Sequence, residues 1–188
     1  MDLETHQRKL LELIRGSYEP PAHEDPYIRR VAQSADLQEA RRNILLWRIW
    51  VLQRTCPLTF NLLKHRRLLG HAVTAFMARS NISPFRETQT PAFLEFMSCH
   101  QDTLIASVAQ FEMAMIRVRQ GDETPYVVQW TAEPLHVLNS LATDTPMEFE
   151  PAAGEFEMIV SRDVPGGFAV VRGGARKRID LTSARGIY

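Results

Sequence analysis

Up to Gly121, apolar residues return every three or four positions. Beyond it they alternate with polar ones between turn residues. The first spacing predicts helices and the second predicts strands. The first helix candidate is Leu3 to Arg15, interrupted by Glu, His, Gln and Lys. Asp25-Pro26 places an N-cap before a proline at the first helical position. A long helix is expected from about Asp36 to Thr55. Leu37, Ala40, Ile44, Trp47 and Val51 share one face, with Arg41, Arg42 and Arg48 elsewhere. Cys56-Pro57 ends it and opens the next segment, because proline disfavours helix at the residue before it. Two short helices follow, joined by an Asn81-Ile82-Ser83-Pro84 loop. Thr90-Pro91 repeats the cap-then-proline pattern and predicts another helix start. Thr103 to Gln120 is the last helix of this part. It turns Leu104, Val108, Phe111, Met115 and Val118 inward, and Gly121 is its stop.

The second part reads strand, helix, strands. Tyr126 to Thr131 is a strand and Glu133 to Leu141 a short helix with Pro134 in its first turn. Phe156 to Ser161 alternates and is half-buried. Asp163 to Gly167 is a turn, and Phe168 to Arg172 is the returning strand of a hairpin. A further strand is expected at Arg178 to Leu181, after Gly173-Gly174. The fold class is therefore α+β. An N-terminal helical bundle, residues 1–121, precedes a small domain, residues 122–188, made of an antiparallel sheet with one helix. So small a sheet has exposed edges, and an edge is a template for another strand.

Charge sharpens the division. The 22 cationic and 22 acidic residues cancel over the 188 positions, which argues against a protein built mainly to hold phosphates. Locally they do not cancel. Residues 121–163 hold nine carboxylates against Arg162 alone, a balance of −8. Residues 172–185 hold five cations against Asp180, a balance of +4. The acidic stretch reads either as a solvated loop or as a docking site for a basic peptide. Cys56 and Cys99 form no CxxC pair and read as reduced thiols of a cytosolic protein. No segment has signal-peptide form and no apolar run is long enough to span a bilayer, so a cytoplasmic location is expected.

Catalytic motifs are missing. His65 and His71 do not share a helical face, no HExxH or HxH occurs, and neither cysteine sits in a protease signature. Gly166-Gly167 and Gly173-Gly174 fit hairpin turns better than phosphate loops. Trp47, Trp50 and Phe60 read as core or helix–helix packing. Nothing here points to catalysis or metal binding by this chain on its own.

Several stretches carry a resemblance. They are Cys56-Pro57-Leu58-Thr59-Phe60-Asn61-Leu62-Leu63, Leu69-Gly70-His71, Ala75-Phe76-Met77-Ala78, Ser83-Pro84, Phe93-Leu94-Glu95-Phe96 and Val108-Ala109-Gln110-Phe111-Glu112-Met113-Ala114. Together they resemble a family of bacterial helical proteins once labelled as a DNA-binding domain. That family is now associated with partner subunits of multinuclear non-haem iron-dependent oxidases. Within it, the chain is most similar to the branch that serves methanobactin biosynthesis. Cys56 departs from the aromatic residue common before the proline, and Met77 from a common leucine.

The resemblance implies that the oxidase partner holds the iron and this chain holds no cofactor. It implies O2-dependent, four-electron conversion of a precursor-peptide cysteine to an oxazolone with an adjacent thioamide. The leader of that peptide, typically basic and extended, is expected to add a strand beside Phe156–Ser161 or Phe168–Arg172. The expected peptide-binding residues are Glu148, Glu150, Glu155, Phe156, Glu157, Met158, Ile159, Val160, Phe168 and Val170. The expected oxidase interface is the 81–86 loop, with Asn81, Ser83, Phe85 and Arg86. Three other readings stay open. One is a partner subunit for a different cysteine-modified peptide. Another is a DNA-binding module using Arg41-Arg42 and Arg66-Arg67. The third is a stand-alone enzyme with a novel site.

Overall fold

The computed structural model describes residues 2–79, 86–145 and 153–172. Seven helices come first: α1 (Leu3–Arg15), α2 (Pro26–Ala32), α3 (Ala35–Thr55), α4 (Pro57–His65), α5 (Leu69–Met77), α6 (Arg86–Ser98) and α7 (Thr103–Arg119). Then follow β1 (Tyr126–Ala132), α8 (Pro134–Ala142), β2 (Ala153–Val160), a 3-10 turn at Pro165–Gly167 and β3 (Phe168–Arg172). The layout is α+β, as the periodicity predicts. The strand expected at Arg178–Leu181 lies outside the described residues.

Most helix starts are written in side chains that satisfy the free N–H groups of a first turn. Asp2 accepts from Thr5 N, Asp25 from Tyr27 N, Ser34 from Leu37 N, Asp102 from Leu104 and Ile105 N, and Glu133 from Leu135 and His136 N. Gly16 ends α1 in the left-handed region at φ +75°. Thr90-Pro91 is not a start. The helix already runs from Arg86, and Pro91 lies inside it. Thr90 is buried, and its hydroxyl lies 2.6 Å from that of Thr55 on α3. The threonine that resembles a cap serves a helix–helix contact instead.

The sheet is antiparallel in the order β1-β2-β3, so β2 is central. Tyr126 faces Val160, Val128 faces Met158 and Trp130 faces Phe156. On the other side Val160 faces Phe168 and Met158 faces Val170. The hairpin closes where Ser161 N donates to Gly167 O at 2.9 Å. Gly166 and Gly167 stand at φ +80° and +85°, which side chains with a Cβ adopt poorly.

Two hydrophobic clusters form. Leu13, Ile28 and Leu37 make a small one between α1, α2 and the start of α3. The main core runs without interruption from Leu52 and Cys56 through α4–α7 to Trp130, Leu141, Phe156 and Val160. Phe111 of α7 meets Trp130 edge-on at 6.2 Å and Phe168 at 5.3 Å. The core thus spans the break in character at Gly121, drawing on helices before it and strands after it.

The tryptophans depart from expectation. Phe60 is buried, but Trp47 and Trp50 are 54% and 44% exposed and stack on each other at 5.0 Å. Arg41 and Arg48 turn inward instead. Arg41 donates to Leu13 O through Nε at 2.9 Å, and Arg48 donates to Gln89 Oε1 at 3.2 Å.

Candidate functional site

Two of the stretches that carry the resemblance lock together at one buried group. Pro57 sits at the start of α4, and Cys56 gives that helix no side-chain cap. The Cys56 thiol turns back to Leu52 O at 3.2 Å. Glu112, arriving from α7, takes the capping role. Its two carboxyl oxygens accept from Leu58 N at 2.8 Å and Thr59 N at 2.9 Å. A carboxylate at a helix N-terminus is favoured by the exposed N–H groups and the helix dipole. Burial nonetheless raises its pKa to about 7, against the pull of Thr59 and the two N–H groups. Burial, then the neighbouring Glu112, pushes the Cys56 thiol well up. A buried, protonated thiol is no nucleophile, so this is a structural joint.

The open polar surface lies along the outer edge of β1. Ser161 pairs with Gly167, so odd-numbered residues of β2 direct their backbone groups to β3 and even-numbered ones to β1. Val128 and Trp130 therefore bond β2, and Val127, Gln129 and Thr131 direct N–H and C=O outward. The Gln129 carbonyl agrees with this: it accepts from the Ser107 hydroxyl of α7 at 2.7 Å. A groove runs beside this edge. At one end Leu94, Glu95, Ser98, Met113 and Arg117 face Tyr126–Val128. At the other Thr103 and Ser107 face Gln129–Thr131, with Glu155 on the rim. Gln110 lines both ends.

The expected peptide-binding residues separate into four sets. Phe156, Met158 and Val160 are buried in the core. Because β2 is paired on both sides, no strand can add beside Phe156–Ser161, which corrects that half of the expectation. Glu155 and Glu157 are exposed, and Ile159 is half-buried. Glu157 Oε1 accepts from Gln129 Nε2 at 2.9 Å. Phe168 and Val170 are half-buried on β3, an outer strand among the described residues. Glu148 and Glu150 lie outside the described residues, as do Asn81, Ser83 and Phe85. Arg86 opens α6. The residues of the β1 edge escaped the sequence reading, because strand order is not encoded in alternation. Their only local signal was the polar residues Gln129 and Thr131, which alternate with Val128 and Trp130.

Among the described residues, no group of three or more His, Cys, Asp or Glu is placed to hold a metal ion. None of their helices is long and apolar enough to cross a membrane. No family model matches the chain, and no curated protein or solved structure matches it either.

Proposed function

We propose that this chain is a non-catalytic partner subunit of a multinuclear non-haem iron oxidase, of the MbnC type, and that it holds the leader of a ribosomally made precursor peptide. The iron and the O2 chemistry belong to the partner. The precursor's cysteine becomes an oxazolone with an adjacent thioamide, as in a methanobactin that chelates copper. A partner subunit for another cysteine-modified peptide has the same architecture and differs in product.

The observation that carries the peptide-holding half is the outer edge of β1, which pairs with no other strand among the described residues and lies beside a groove. An extended peptide laid there gains ladder hydrogen bonds from Val127 and from the Gln129 N–H, the Gln129 carbonyl being held already by Ser107. Glu95 and Glu155 stand at the groove, with Glu157 on the adjoining sheet face, and these attract basic side chains. The β1 edge replaces β2 in this reading, and Ser107 marks where the peptide meets α7.

Binding of a synthetic leader, followed by calorimetry, tests the site. Gln129→Pro removes one outward N–H and leaves the ladder to β2 whole, since proline is tolerated on an edge. We expect it to weaken binding tenfold or more while costing no more than about 1 kcal/mol of stability, the loss of the exposed Gln129–Glu157 bond. Reversal of Glu155 and Glu157 to lysine should lower affinity at low salt and matter little at high salt. Equal affinity of all three proteins would remove the β1 site. Co-expression with a candidate iron oxidase, followed by metal analysis of the purified complex, tests the partner role. Failure of the two chains to co-purify would end it.

A further inference from the structure

The outer face of α3 carries a stripe that the core does not use. Leu46, Trp47 and Trp50 are 52%, 54% and 44% exposed, and Arg42 and Arg54 lie exposed at its two ends. The three side chains leave on the order of 300 Å² of apolar surface, comparable to the largest apolar patch of an ordinary monomer, which is often functional. The charges on the stripe's own face are Arg42 and Arg54 beside the aromatic residues, with Glu39 one turn beyond Arg42. We infer that this face docks a partner protein through an apolar ridge flanked by carboxylates. The inference stands apart from the peptide-holding role, which uses the opposite, acidic part of the chain.

Three occupants compete, and the geometry selects among them. A nucleic acid would use the tryptophans as stacking platforms. Trp50, however, already stacks on Trp47 at 5.0 Å and carries the Arg54 guanidinium 4.6 Å from its ring centre, so a base would have to compete with partners already in place. A second copy docking face to face would bring the same stripe against itself. Its Arg42 and Arg54 would then meet other arginines, an unfavourable like-charge contact. A partner offering leucines between glutamates satisfies both the tryptophans and the arginines. Tryptophan and arginine are also the residue types that most often dominate interface energies.

The test uses two designed amphipathic helical peptides, one with leucines flanked by glutamates and one with the same leucines flanked by lysines. Trp130 is buried, so a binding-induced blue shift in emission reports Trp47 and Trp50. The acidic peptide is expected to bind and shift the emission, and the lysine peptide is not. Arg54→Glu and Trp47→Ala should each weaken acidic-peptide binding about tenfold. Both residues are exposed, so both variants should melt as the wild type does. Equal binding of the two peptides, or binding unaffected by either substitution, would overturn the inference. So would tighter binding of a single-stranded oligonucleotide, which reports nucleic acid. A dimer in light scattering that Trp47→Ala dissolves would assign the stripe to a second copy.

Discussion

Glu112 shows how one residue can join two distant stretches. It stands on α7 yet completes α4, whose own cap position holds a thiol facing the other way. Burial sets its titration. An unfolded glutamate loses its proton near 4.5, and this one near 7. Below 4.5 both states are protonated and the full stability is present. Between 4.5 and 7 the unfolded chain releases the proton and the fold does not, so stability falls as pH rises, by about 3 kcal/mol in all. The urea midpoint should therefore be lower at pH 8 than at pH 5. Glu112→Gln should flatten that difference. At pH 5 it should also cost about 1–2 kcal/mol, because its amide NH2 meets a backbone N–H. Glu24 does not disturb this window. Lys9, Tyr18 and the Asp25 N–H hold its carboxyl down near 2, so its contribution disappears only at more acid pH.

Helix α3 shows where periodicity and structure part. A face through Leu37, Ala40, Ile44, Trp47 and Val51 is regular in sequence, and polarity sorting puts arginines opposite. The packed face turns slightly from that one. It takes in Arg41 and Arg48, whose stems fill apolar space while their heads reach Leu13 O and Gln89. Arg41 thereby places a cation on the carbonyl end of α1, where the helix dipole favours it. Arg41→Ala should destabilise the protein by about 1.5–3 kcal/mol, measured by chemical denaturation. Arg41→Lys, with a single point charge, should recover part of it. The β2–β3 turn has a second element-scale limit. A Cβ at Gly167 would stand 3.3 Å from Met115 Cε, in a left-handed backbone. Gly167→Ala should cost about 1–2 kcal/mol in thermal unfolding.

For the whole molecule, the decisive fact is that helices and sheet share one core. Phe111 touches both Trp130 and Phe168, and α4 is tied to the end of α8. Asn61 donates to Leu141 O at 2.9 Å, and Lys64 pairs with Asp144 at 2.5 Å. A fragment of residues 1–121 should lose its near-UV dichroism and bind hydrophobic dye, because the apolar side of α7 would face water. A sharp, native-like transition of that fragment would show that the helices need no sheet. Charge is also segregated along the chain, net cationic over residues 26–67 and net acidic over residues 121–163. That separation permits two docking surfaces of opposite sign on a chain of zero net charge.

Cap residues and alternation were enough to read most elements, because these are local effects. Asp25 before Pro26, Gly121 after α7 and the Pro-Gly-Gly turn act within a few residues of themselves. Thr90-Pro91 misled because a cap is a cap only if its hydroxyl has no better partner, and Thr55 supplies one from 35 positions away. The order β1-β2-β3 follows from packing across the chain, so sequence could show that edges exist without showing which strand owns them. By itself the sequence determined an α+β chain with helices first, a hairpin and a lopsided charge. Tertiary structure alone decided that β1 carries the open groove, that Glu112 caps α4, and that two tryptophans face out while two arginines face in. Each of those choices depends on which neighbour desolvates a side chain or pairs with it, and the neighbours are distant in sequence.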